Sequence, residues 1–195
     1  IYEGGLRVPG MIEWPARIPA PRVTDVPSLT SDIYPTLLEI VGVEMPGQHP
    51  LDGISLVGVL EDKMKTRPKP MGFWRDGSPG RSTHSDRLMA ALMEAQKAGK
   101  QVGDRTRLDM DAAKITRQVP EDSFPGHAAW NDWPWKLHRI QGKGAKITVE
   151  LYNLATDAGE KKNVAAQNAD RVKTMRADLE AWLQSVARSL NGKDY

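Results

Sequence analysis

Lys146-Ile147-Thr148-Val149-Glu150-Leu151-Tyr152 alternates apolar and polar residues with a period of two. Successive side chains of a strand point to opposite faces, so Ile147, Val149 and Leu151 face inward and Lys146, Thr148 and Glu150 face outward. Trp135-Lys136-Leu137-His138-Arg139-Ile140 reads as a second strand just upstream, with Asn131-Asp132 marking one turn and Gly142-Lys143-Gly144 another. Residues 126–152 therefore read as an antiparallel sheet. Downstream, Val172, Met175, Leu179, Trp182, Leu183 and Val186 recur at three- and four-residue steps. That is the stripe of an amphipathic helix able to cover such a sheet. Asn168 is placed to cap it, and Asp170 suits the positive end of its dipole.

Upstream the pattern changes. Val8-Pro9-Gly10-Met11-Ile12-Glu13-Trp14-Pro15 is a short apolar run closed by proline and reads as a buried strand. After a proline-rich loop, residues 32–42 read as a helix. Asp32 is its N-cap, Pro35 stands in the first turn, Ile33, Leu37, Ile40 and Val41 share one face, and Gly42 ends it. Ile54 to Leu60 is a short apolar element, Lys63 to Pro70 a linker, and Met71-Gly72-Phe73-Trp74 a strand. Residues 83–98 read as a helix with Thr83 and Asp86 as a capping box, Leu88, Leu92 and Ala95 on one face, and Gly99 as a stop. Residues 100–122 are charged and weakly periodic. A lone strand cannot satisfy its ladder hydrogen bonds, so the first 45 residues call for a larger sheet and for an upstream part of the same protein.

Composition narrows the function. With 195 residues, 39% apolar and 27% charged, the chain can bury a core and is too apolar for disorder. The net charge is +2 and the charges are interspersed, with no basic run flanked by aromatics, so nucleic acid is not an expected partner. No run of 18 apolar residues is present, so no transmembrane helix is expected. Cysteine is absent, which removes disulfides, thiolate zinc sites and a cysteine nucleophile from these residues.

The usual catalytic patterns are missing as well. His49, His84, His127 and His138 lack metal-ligand spacing, no Gly-x-Ser-x-Gly elbow occurs, and no Walker-type loop occurs. His138 falls within a strand pattern and reads as a strand residue, His49 as a solvated turn residue. Asp109 and Asp111 read as a solvated face. His127, ahead of Ala128-Ala129-Trp130, is the best polar candidate for a cleft, and Trp130 is its aromatic companion for substrate contact. Three of the six tryptophans, Trp130, Trp133 and Trp135, lie within six residues. Such a cluster suits a sugar-stacking platform or, more commonly, core packing. Near the start, Gly4 and Gly5 would allow a positive-φ turn and a close backbone approach, after which Arg7 presents a planar fork for an anion.

Four blocks, in order, resemble the sulfatase family: Tyr2-Glu3-Gly4-Gly5-Leu6-Arg7-Val8-Pro9-Gly10 with Trp14-Pro15; Thr30 to Leu38; Leu51-Asp52-Gly53-Ile54-Ser55-Leu56; and Trp135-Lys136-Leu137 with Glu150 to Leu154, Asp157 and Glu160-Lys161-Lys162-Asn163. The resemblance implies an α/β fold: residues 1–62 as the end of an alkaline-phosphatase-like catalytic domain, and 63–195 as a C-terminal subdomain, a small antiparallel sheet packed by a C-terminal helix, with an insertion near 80–122. It implies hydrolysis of sulfate esters on a carbohydrate or aryl sulfate by the full-length enzyme, with formylglycine and calcium as cofactors. The formylglycine motif, the calcium ligands and the sulfate-contacting lysine are all expected upstream, so no catalytic or metal residue is carried over and this chain alone is expected to be inactive. Glu3, Gly4, Gly5 and Arg7 match the loop bordering the family's active site. Ala158 stands where the family often has proline, which loosens a turn. The family also implies a periplasmic or secreted location. A non-catalytic sugar-binding or structural module derived from a sulfatase tail, and a related phosphoesterase or phosphonate hydrolase, are the alternative readings.

Overall fold

The alternating runs form the strands that their periodicity calls for. In the computed structural model, which describes residues 1–45, 47–75, 84–100, 118–142 and 146–193, four strands make one sheet: β1 (Met71–Arg75), β2 (Gly126–Asp132), β3 (Trp135–Gln141) and β4 (Ile147–Asn153). Their spatial order is β1-β2-β3-β4, each antiparallel to its neighbour. Leu137 stands opposite Trp130 on one side and Leu151 on the other. Among the described residues the helices are α1 (Glu3–Leu6), α2 (Ile33–Val41), α3 (Val57–Leu60), α4 (His84–Lys97) and α5 (Ala169–Leu190), with 3-10 turns at Thr30–Asp32 and Ala165–Gln167. The architecture is mixed α/β.

The core lies between one face of the sheet and α5. Met175, Leu179, Leu183 and Ala187 of the helix are buried with Phe124, Ala128, Leu137 and Leu151. Leu137, Leu151, Leu179 and Leu183 are wholly inaccessible, and burial of each contributes about 1.5–3 kcal/mol. Gly72 in mid-strand makes room for an aromatic ring: a Cβ there would lie 2.5 Å from Trp182. The Trp182 Nε1–H in turn donates to Asp52 Oδ1 at 2.9 Å, joining α5 to the first third of the chain.

That first third is organised by Asp32, which is completely buried. Its carboxylate accepts two bonds from Arg67, at 2.7 and 2.9 Å, and the backbone N–H groups of Leu29 (2.6 Å) and Ile54 (2.8 Å). Asp32 was expected to cap α2. Instead the 3-10 turn has already given it a helical backbone (φ −77°, ψ −17°), and its side chain makes no cap bond because it is committed inward. Thr36 Oγ1 donates to Asp32 O and accepts from Leu56 N–H, so α2 and the Asp52–Leu56 loop are fixed together. Gly42 does end α2, in the left-handed region (φ 67°).

Several other expectations are corrected. Residues 8–14 form no strand, and Val8, Met11 and Ile12 are exposed, since none of the described strands pairs with them. Asn131 and Asp132 are the last residues of β2 rather than a turn, and the chain reverses at Trp133-Pro134, a cis peptide. Asn168 makes no cap bond, because its side-chain amide donates to Val164 O at 2.8 Å. Helix α4 starts at His84 and Gly99 follows it with φ 64°. The Thr83–Asp86 capping box, the Gly142-Lys143-Gly144 turn, Asp109, Asp111 and residues 80–83 and 101–117 of the expected 80–122 insertion lie outside the described residues.

Candidate functional site

Alternation along β3 sends Leu137 into the core and sends Lys136 and His138 to the opposite face. That face would ordinarily meet water, yet both side chains are fully buried. The start of the chain covers them. Tyr2 stacks on His138 with ring centroids 4.6 Å apart, and its hydroxyl donates to Glu150 Oε2 at 2.7 Å. Glu3 Oε1 lies 2.7 Å from Lys136 Nζ.

Glu160 is the hub of the cluster. Its Oε1 lies 3.2 Å from Lys136 Nζ and 2.7 Å from His138 Nε2, and its Oε2 accepts the backbone N–H of Glu3. The turn before it is built by short polar side chains. Asp157 accepts the N–H groups of Lys161 and Lys162, and Asn163 Oδ1 accepts those of Leu151 and Ala165. Glu160 itself sits in the left-handed region at φ 51°. A non-glycine residue there carries a strain of about 1–2 kcal/mol, which its three contacts offset.

The histidines extend the chain of bonds. His127 Nε2 lies 2.8 Å from His138 Nδ1. Burial, reinforced by the Lys136 ammonium, lowers the pKa of His138 to about 3. Burial likewise lowers His127 to about 4. Both rings are therefore neutral near pH 7, and one tautomer pair fits both short contacts: His127 Nε2–H donates to His138 Nδ1, and His138 Nε2–H donates to Glu160. Glu150 accepts from Tyr2 and also from Tyr152 at 3.0 Å. Burial and the Glu150 carboxylate raise both phenols, Tyr152 to about 12, so they remain donors.

This arrangement can hold a segment of chain and orient protons. It presents no activated nucleophile, and no group of three metal-ligating side chains exists among the described residues. Of the residues singled out by sequence, Glu3 and His127 belong to the cluster. Gly4, Gly5 and Arg7 follow Glu3 on an exposed single turn of helix. The expected positive-φ glycine turn is not formed: Gly5 N–H donates to Tyr2 O and Arg7 N–H to Glu3 O, which closes a helical turn instead. Trp130 is three residues from His127 on the same strand and so points to the opposite face, where it packs beside Trp182 with centroids 6.2 Å apart. The two are not brought to one cleft. Trp74, Trp135 and Trp182 also pack on the core, whereas Trp133 is exposed. Lys136, Glu160, Glu150, Tyr2 and Tyr152 were missed as a cluster. The available signal was β3 itself, which carries charged residues on both faces and so has no simple solvent side.

The neutral histidines make stability depend on pH. Each binds fewer protons folded than unfolded, so stability rises with pH through the window where only the unfolded form is protonated. Stability is expected to fall as pH drops from about 6.5 toward 4, with Lys136 opposing protonation and Glu150 favouring it. Urea midpoints at pH 7 and 5 check this, and H127Q/H138Q should flatten that interval. A flat profile for the unaltered chain would contradict it.

No family model matches this chain. Known proteins do resemble it. It is 45% identical over 60 residues to arylsulfatase D of Homo sapiens, covering 31% of this chain and 10% of that protein. It is 28% identical over 191 residues to a sulfatase of Formosa agariphila, covering 93% of this chain and 28% of that protein. It is 34% identical over 98 residues to N-acetylgalactosamine-6-sulfatase of Sus scrofa, covering 50% of this chain and 17% of that protein. The chain thus spans less than a third of the length of these relatives.

Proposed function

We propose that this sulfatase-like chain is the C-terminal part of a sulfuric ester hydrolase. In this reading residues 1–62 complete its catalytic α/β domain and residues 63–195 form its C-terminal subdomain, with 80–122 inserted. The observation that carries the reading is the likeness to a sulfatase over 93% of the chain. A physical asymmetry supports the division. The sheet and α5 enclose a filled core, but Ile33, Leu37 and Val41 of α2 are 54–64% exposed, as is Ile12 at 57%. Ile12, Trp14, Ile33, Leu37, Ile40 and Leu60 line an open apolar groove. Such a face is suited to a larger sheet supplied by the rest of the protein.

The chain's own residues do not fit the expected cofactors. There is no cysteine and no serine in a Ser-x-Pro-x-Arg motif to become formylglycine, and no cluster of three acidic or histidine side chains to hold calcium among the described residues. Both groups would be held by the upstream part, and this chain would supply scaffold and one wall of the cleft, bordered by Glu3, Gly4, Gly5 and Arg7. His127 is half-buried beside the Tyr2 ring, with centroids 5.3 Å apart, and stays the polar candidate for substrate contact, whereas Trp130 lies on the core face beside Trp182. The names of its relatives favour an aryl sulfate or a sulfated amino sugar as substrate. No helix among the described residues is long and apolar enough to cross a membrane, and export to the periplasm or exterior is the location that fits a sulfated glycan.

The test is release of inorganic sulfate from 4-nitrophenyl sulfate and from N-acetylgalactosamine-6-sulfate. The protein of the complete reading frame is expected to turn over at least one, and residues 1–195 alone neither. Turnover of phosphate or phosphonate esters with none of sulfate would replace this reading by the phosphoesterase one.

A further inference from the structure

Helix α1 cannot hold its own shape. It is four residues long, two of them glycine, and none of its residues is buried. One hydrogen-bonded turn is an unfavourable nucleus in isolation, and glycine makes it more so. Its geometry must be imposed from outside, and the contacts that impose it come from far along the chain. Lys136 grips the Glu3 carboxylate across 133 residues, and Glu160 accepts the Glu3 N–H across 157. Fixing both the backbone and the side chain of one residue sets its position and its orientation together. Tyr2, clamped between His138 and Glu150, fixes the residue before it.

A buried Glu–Lys–Glu cluster is a poor device for stability, because desolvation offsets most of its attraction, but this one holds Glu3 at two points, the carboxylate by Lys136 and the N–H by Glu160. Apolar residues could cover this face of the sheet equally well; they would not aim the turn. Nor does this chain explain why positions 4 and 5 are glycine. Neither has a positive φ, and a Cβ at either would meet nothing within 4 Å. Small residues on an exposed turn are suited to a surface that another body approaches closely.

We infer that Lys136 and Glu160 are positioning residues, which lock the turn from Glu3 to Arg7 in one orientation so that the Gly4–Gly5 edge and the Arg7 guanidinium meet the substrate cleft. The cleft itself rests on the sulfatase reading; the locking of the turn does not.

Two readouts on the full-length protein separate these. In the double variant E3Q/K136M, and separately in E160Q, hydrogen exchange at the amides of Glu3, Gly5 and Arg7 is expected to rise about tenfold or more while amides of β2 to β4 stay protected. With 4-nitrophenyl sulfate, kcat is expected to fall by roughly 10–100-fold with KM changed little, as for a misplaced site element. Should the buried substitutions prevent folding, E3Q alone, at the edge of the cluster, carries the same exchange test. Unchanged exchange in a folded variant overturns the locking role. Faster exchange with unchanged kcat overturns the aim at the cleft. An unaltered full-length protein that turns over no sulfate ester overturns the sulfatase reading and the aim at the cleft with it, while the exchange result still decides the locking.

Discussion

Replacing Arg67 by alanine is expected to destabilise the protein by about 3–5 kcal/mol, among the largest effects of any single substitution. The two partners are almost completely inaccessible: the Arg67 side chain is 2% exposed and that of Asp32 0%. Removing the guanidinium leaves a carboxylate sealed from water with only the Leu29 and Ile54 N–H groups as donors. The loss extends beyond the pair. Arg67 also donates to Pro27 O and Lys69 O, so it ties the linker before β1 to the loop before α2. Burial alone would raise the Asp32 carboxyl, but the Arg67 bonds and the two backbone donors outweigh it and hold it below the ordinary carboxylate range. Stability from this group is present above the unfolded pKa, about 3.9, and is lost as pH falls through the lowered folded one. In R67A the balance tips toward burial, so protonation relieves the buried carboxylate and the acid loss from this group shrinks or reverses. Urea titrations of R67A, D32A and the double variant check both points: a double variant as unstable as the sum of the singles would show that the pair is not coupled.

How far the sequence could be read follows the range of the interactions. The strands β3 and β4 and the stripe of α5 are local patterns, and period two and period 3.6 showed them directly. Gly42 as the end of α2 is local too. What failed was long-range. Residues 8–14 have the composition of a strand, but a strand is made by its neighbour, and no neighbour lies among the described residues. Asp32 has the position of a cap, but its partner is Arg67, 35 residues on. The candidate site was legible only at its edges. Glu3 comes only from the resemblance of its block to the sulfatase loop, and His127 only as a polar candidate for a cleft ahead of a small-residue run; neither reading places the two together on the polar face of β3. Lys136, His138 and Glu160 could not be placed there either, because nothing local says that the polar face of β3 is roofed by Tyr2, or that a glutamate will occupy a left-handed turn to reach it.

Gly53→Ala is the second large loss expected, at least about 3 kcal/mol. The glycine does not owe its place to a positive φ; it is needed because another backbone passes over it. A Cβ at position 53 would stand 2.1 Å from Ser31 O, 2.5 Å from Ser31 C and 2.9 Å from Asp32 N. All three are main-chain atoms, so no rotamer change relieves the overlap. Relief requires the Asp52–Leu56 loop to withdraw from the 3-10 turn, and the bonds that stitch the two together are those that would break: Ile54 N–H to Asp32, and Leu56 N–H to Thr36. Asp52 would move as well, releasing Trp182 on α5. The steric cost at one position therefore spreads to the Asp32 site and to the contact between the first third of the chain and the helix. Gly10→Ala is the matched control, since a Cβ there meets nothing within 4 Å. It should change the urea midpoint by no more than a few tenths of a kcal/mol equivalent. If the two alanine variants unfold at the same midpoint, the close passage of residues 31–32 over Gly53 is not a feature of the folded protein.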